Sequence, residues 1–173
     1  MKNILKLLVV SLLLSSVVPN TVLAQKINKK TAKADRAFDA EEYFKASELY
    51  KKAYKKTKNR ALKAEITFKQ AECYRLSGNT KRAESYYKRA VKSKYPDLIV
   101  YLRYADMLMI NAKYEDALEQ YDLYNKKNPT DIRGEKGMKS CQFAVQWMKN
   151  PTRYLIQQMP VVNSRSNDFS PAF

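Results

Sequence analysis

Histidine is missing from this chain, and glycine nearly so, with three in 173 residues. Without an imidazole there is no general base to stand beside a serine or cysteine and no usual zinc ligand, so Ser-His-Asp and Cys-His mechanisms and the common zinc sites drop out. Scarce glycine leaves no Gly-rich phosphate loop and argues against turn-dense β structure. Acids are few as well: 17 Asp and Glu face 33 Lys and Arg, a formal charge of +16. They lie scattered, with no pair placed for acid–base work. The chain therefore reads as a non-enzyme with no cofactor and no metal. Its two cysteines, Cys73 and Cys141, are too few for a disulfide scaffold. Each sits inside a helical pattern, so buried free thiols are the favoured reading, although an oxidising compartment would allow a bridge.

What is present starts with a leader. Lys2 and Lys6 flank the start of an apolar run, Leu7 to Val18, too short to span a bilayer, and Val22-Leu23-Ala24 precedes Gln25. This is the layout of a signal peptide over 1–24, cleaved after Ala24, and it implies an exported, periplasmic chain. No cysteine follows the run, so no lipoprotein acceptor is present, and the mature chain carries no transmembrane span. Export also removes nucleic acid as a partner. The basic surplus has two readings: Lys and Arg solvating helix faces, or attraction to anionic lipid or polysaccharide surfaces by charge.

Self-comparison shows a repeat. "YFKASELYKKAY", "TKRAESYYKRAV" and "KYEDALEQYDLY" align the triplets Ala46/Tyr50/Ala53, Ala83/Tyr87/Ala90 and Ala117/Tyr121/Tyr124. Steps of four and three keep each triplet on one helix face. Twelve residues before each leading alanine stand Ala34, Ala71 and Ala105, each followed by an acid. The unit is thus helix, turn, helix, over about 31–59, 63–96 and 97–129. Gly78-Asn79 and Asn111-Ala112 mark turns, and Pro96 and Pro129 close units. The segment 131–150 predicts a capping helix, with Trp147 packed inside it, and the chain after Pro151 reads as extended.

The repeats resemble the tetratricopeptide repeat, which implies an all-α solenoid of about three helical hairpins plus the cap over 25–150. In that family the first helix of each hairpin lines a concave binding surface. Carried over by register, this names Asp35, Phe38 and Asp39, then Phe68, Glu72, Arg75 and Leu76, then Leu102, Asp106, Met109 and Ile110. Asp35, Glu72 and Asp106 form an acidic row that turns apolar in the third unit. One reading is a groove for a Lys- or Arg-bearing peptide. The other is that the acids are solvated while Met109 and Ile110 pack on the cap. The tail "NSRSNDFSPAF" resembles the start of a PD40-type β-propeller, through Asn163, Ser164, Asp168, Phe169, Pro171 and Phe173. A leader, these repeats and such a propeller resemble OmpA-family envelope proteins of the Bacteroidetes, some serving type IX secretion. The resemblance implies an incomplete propeller over 151–173, outer-membrane association, envelope proteins or peptides as partners, and peptidoglycan contact only through a C-terminal domain beyond Phe173.

Overall fold

The computed structural model describes residues 29–151; the predicted leader over 1–24 and the propeller-like tail over 152–173 lie outside the described residues. Among the described residues seven helices follow one another: α1 Ala32–Asp39, α2 Tyr43–Lys56, α3 Arg60–Leu76, α4 Thr80–Lys92, α5 Ile99–Ile110, α6 Tyr114–Lys127 and α7 Ile132–Lys149. Among the described residues there is no strand, and no helix is long and apolar enough to cross a membrane. Successive helices pack on one another, and α5 also touches α7.

Local chemistry sets the boundaries. Asn59, Asn79 and Asp131 cap α3, α4 and α7, their side-chain oxygens accepting from backbone N–H groups of Leu62, Arg82 and Arg133. Each cap satisfies a donor the helix start leaves open. The three hairpin turns share one backbone device. Glu41, Gly78 and Ala112 all take positive φ, at 59°, 76° and 58°. The next residue's N–H then reaches back across the helix end, Glu42 to Ala37, Asn79 to Tyr74 and Lys113 to Leu108. This is the Schellman arrangement, for which glycine is the unstrained choice. Only the middle turn has it.

The repeated alanines are the close contacts. Ala34, Ala46, Ala71, Ala83, Ala105 and Ala117 are buried, with Tyr50, Tyr87, Tyr121 and Tyr124 filling the space beside them. Small residues bring the helices together, and the tyrosines supply the apolar area that holds them. Cys73, Met107 and Cys141 recur at intervals of 34 residues and are all buried. That register gives α7 the place of a first helix of a further hairpin. Lys139 stands where Ala71 and Ala105 stood, and it is exposed, so the small residue of that register is missing from α7. Its own approach to α6 depends on glycine. A Cβ on Gly137 would lie 2.4 Å from Cδ1 of Tyr121, and one on Gly134 would lie 3.0 Å from Cβ of Asn125.

One expectation fails here. Trp147 does not pack inside α7: it is 69% exposed and stacks on Phe143, itself 51% exposed. An apolar stripe on a helix is buried only if something covers it, and the described residues cover α7 on one side. Both cysteines are free and buried.

Candidate partner-binding face

The first helices of neighbouring units face one another along one side of the solenoid. Arg103 on α5 reaches Glu72 on α3 at 3.9 Å and Asp106 on its own helix at 3.7 Å. Arg75 holds Glu72 at 2.6 Å. The middle of this face is therefore a charge ladder running Arg75, Glu72, Arg103, Asp106. Glu72 is 13% exposed at its side chain and Arg75 is 23% exposed, so the pair is largely withdrawn from water.

Each member of the acidic row has a second commitment. Tyr50 donates its hydroxyl to Asp35 at 2.6 Å, Tyr121 donates to Asp106 at 2.8 Å, and Tyr87 donates to Glu72. The acids do not stand as free surface charges. They anchor the buried tyrosine of the second helix to the first helix of the same hairpin. The polar ends of three buried phenols are thereby satisfied. Burial, with the neighbouring carboxylate, pushes all three phenols well above the ordinary tyrosine range.

The remaining predicted residues divide. Phe68 is half-buried, stacked on Tyr95 with ring centroids 4.4 Å apart. Phe38 packs edge-on against Tyr43, with Lys69 over its ring. Leu76 and Asp39 are exposed. Leu102 does not line a surface. At 3% exposure it belongs to the core between the hairpins, because its place on α5 turns toward the neighbouring helices. Met109 is partly buried, with its Sδ 3.6 Å from Sγ of Cys141 on α7. Ile110 is 61% exposed.

The sequence reading missed the far end of this face. Phe143 lies 34 residues after Met109, so α7 carries it at the rank that Arg75 and Met109 hold on α3 and α5. Ile110, Phe143 and Trp147 are large, apolar and exposed. Arg103, which ties the two acids together, was missed as well; its signal was a basic residue three before Asp106 on the same helix. The face thus combines a charged middle whose partners are internal with an apolar end left open. It offers burial to an incoming group and a carboxylate edge at Asp106 to orient it. Among the described residues no group of acids or cysteines is placed to hold a metal.

Comparison with known proteins agrees with the helical-repeat fold. The profile for the tetratricopeptide repeat matches residues 31–99 and 77–132, together more than half of the chain. No curated protein matches the sequence significantly. The first tetratricopeptide domain of human RPAP3 is similar, with TM-score 0.58, 18% identity, and coverage of 70% of this chain and 94% of that one. So is the tetratricopeptide domain of Sgt2 from Aspergillus fumigatus, with TM-score 0.59, 16% identity, and coverage of 79% and 90%. At these identities the likeness is one of fold. The chain belongs to the tetratricopeptide-repeat family.

Proposed function

We propose that the protein is a non-catalytic scaffold of the cell envelope that docks protein partners on the face built by α3, α5 and α7. The repeat architecture is that of an interaction scaffold, with stacked hairpins presenting an extended surface. The observation that carries the reading is the exposure of Ile110 on α5 and of Phe143 and Trp147 on α7, with the carboxylate of Asp106 one helical turn before Ile110. Burial of such side chains supplies most of the affinity of a contact, and charge fixes its orientation. The partner is accordingly a segment with an apolar anchor and a Lys or Arg close by. Of the residues named from sequence, Asp106, Met109 and Ile110 form its centre. Phe68 and Glu72 flank them, and Asp35 lies in the unit furthest from the apolar end.

The cellular setting is part of the proposal. The leader-like segment 1–24 supports export to the periplasm. The motif from Asn163 to Phe173 supports the N-terminal region of an OmpA-family, outer-membrane-associated protein, an architecture that occurs in type IX secretion and gliding. Fractionation of cells expressing a tagged chain tests the setting; a cytoplasmic, uncleaved product contradicts it. Binding is tested with Asp106→Lys combined with Ile110→Glu, compared with the parent for association with envelope proteins. Helicity and melting are checked first. At least one partner should be lost, and full retention by a well-folded variant contradicts the docking face.

A further inference from the structure

A second site lies on another part of the surface, where the end of α2, the start of α3 and the end of α4 converge. It is a cleft of about 360 Å³ bearing four cations, Arg60, Lys63, Arg89 and Lys92, and no carboxylate lines it. None of the four forms an ion pair among the described residues. Elsewhere Lys45, Arg75, Lys113, Lys126, Arg133 and Lys139 are among the minority of basic side chains that find acids.

Helix ends account for only half of the cluster. Arg89 and Lys92 are in the last turn of α4, where the negative end of the helix dipole favours cations. Arg60 and Lys63 sit at the start of α3, whose first turn holds no acid. There the dipole is positive and disfavours them. Four like charges around one cleft, two of them against a dipole, repel one another unless an anion is present. The donors are also held in place. The guanidinium of Arg89 lies 4.8 Å from the ring centre of Tyr86 and 5.9 Å from that of Tyr54, and Lys63 lies 4.9 Å from Tyr54. Aromatic faces fix the cations by cation–π attraction without neutralising them. A guanidinium so placed keeps its planar fork of donors for a tetrahedral oxyanion.

We propose that this cleft binds a multiply charged phosphate group, a pyrophosphate or a phosphomonoester, either free or as the headgroup of a lipid. Its volume suits a headgroup or a small phosphorylated molecule. It is separate from the docking face, so either site can fail its test without the other.

Titration calorimetry of the full chain with pyrophosphate at about physiological salt tests it. Saturable binding should weaken at least about tenfold in Lys63→Gln combined with Arg89→Gln, since each removes a charge-assisted contact. It should persist in Lys81→Gln combined with Lys136→Gln, which removes the same charge from exposed positions outside the cleft. Circular dichroism melts establish that both variants fold; Arg60→Gln with Lys92→Gln serves as a second cleft variant that leaves the stacked pair untouched. Flotation with phosphatidic acid vesicles is run in parallel. Vesicle binding lost in the cleft variants identifies a lipid headgroup, and pyrophosphate binding without vesicle binding identifies a free phosphate. Absence of saturable pyrophosphate binding, or equal weakening in the cleft and control variants, overturns the proposal.

Discussion

Tyr87 donates its hydroxyl to Glu72, fifteen residues earlier, and the same interval separates Tyr121 from Asp106 and Tyr50 from Asp35. This contact is repeated once per hairpin and ties the second helix to the first through a buried phenol. Tyr87→Phe should destabilise the protein by about 1–3 kcal/mol, because it removes a donor from a carboxylate largely withdrawn from water. Tyr121→Phe should cost less, since the Asp106 side chain is 33% exposed and water can replace the lost donor. Urea unfolding checks the order, and equal effects would show that burial of the acid does not set the strength of the contact.

Gly137 allows α7 to lie against Tyr121. Gly137→Ala would place its new carbon 2.4 to 2.7 Å from three ring atoms, so the ring or the helix must move. Overpacking of this kind costs about 1–3 kcal/mol. A thermal melt of the variant should show the loss, and an unchanged melting temperature would mean that α7 does not pack this closely.

The third hairpin turn uses alanine where the second uses glycine. Ala112 at φ 58° carries a Cβ in a conformation that disfavours it. Its neighbours Asn111 and Lys113 are tied to Glu84 on α4, both at 2.7 Å, which holds the turn in place. Ala112→Gly should therefore stabilise by up to about 1 kcal/mol, the relief at the left-handed position outweighing the added unfolded-state entropy. Chemical denaturation with an unchanged slope and a higher midpoint is the expected result.

Alkaline pH should unfold the protein by linkage. Burial pushes the Cys73 thiol from 9.0 up to about 12 and the Tyr95 phenol from 10.0 up to about 12. Tyr50, Tyr87 and Tyr121 are shifted the same way. These groups stay neutral in the folded chain while the unfolded chain ionises. Their stabilisation is whole below about pH 9 and is lost as pH rises toward about 12. Phenolate absorbance during an alkaline titration should show Tyr50, Tyr87 and Tyr121 ionising only with loss of helicity. Ionisation of every tyrosine near pH 10 in a folded protein would contradict the burial described here.

The helical units were legible because alanine and tyrosine at steps of four and three mark a packed helix face whatever lies opposite. Pro96, Pro129 and the turns at Gly78-Asn79 and Asn111-Ala112 mark the ends by local rules. The role of the acids was less accessible. Their recurrence was visible, but a lone carboxylate on a helix surface looks solvated until a hairpin brings a phenol across to it. Leu102 and Trp147 exchanged places for a related reason. Periodicity says that a residue lies on an apolar stripe, not whether a neighbour covers that stripe. Leu102 is flanked by helices on both sides, whereas α7 ends the described array. The cation cleft draws Arg60, Lys63, Arg89 and Lys92 from two helices, and no interval along the chain announces it.

The docking face is most directly tested by photocrosslinking in the native cell. A photoreactive residue is placed singly at Ile110 and Phe143 on this face, and at Lys88 and Leu123 on α4 and α6 as exposed positions elsewhere. Discrete adducts with a protein partner should form from Ile110 and Phe143 and be absent from Lys88 and Leu123. Adducts from Lys88 or Leu123, with none from Ile110 and Phe143, would contradict it and move the interaction to the outer helices.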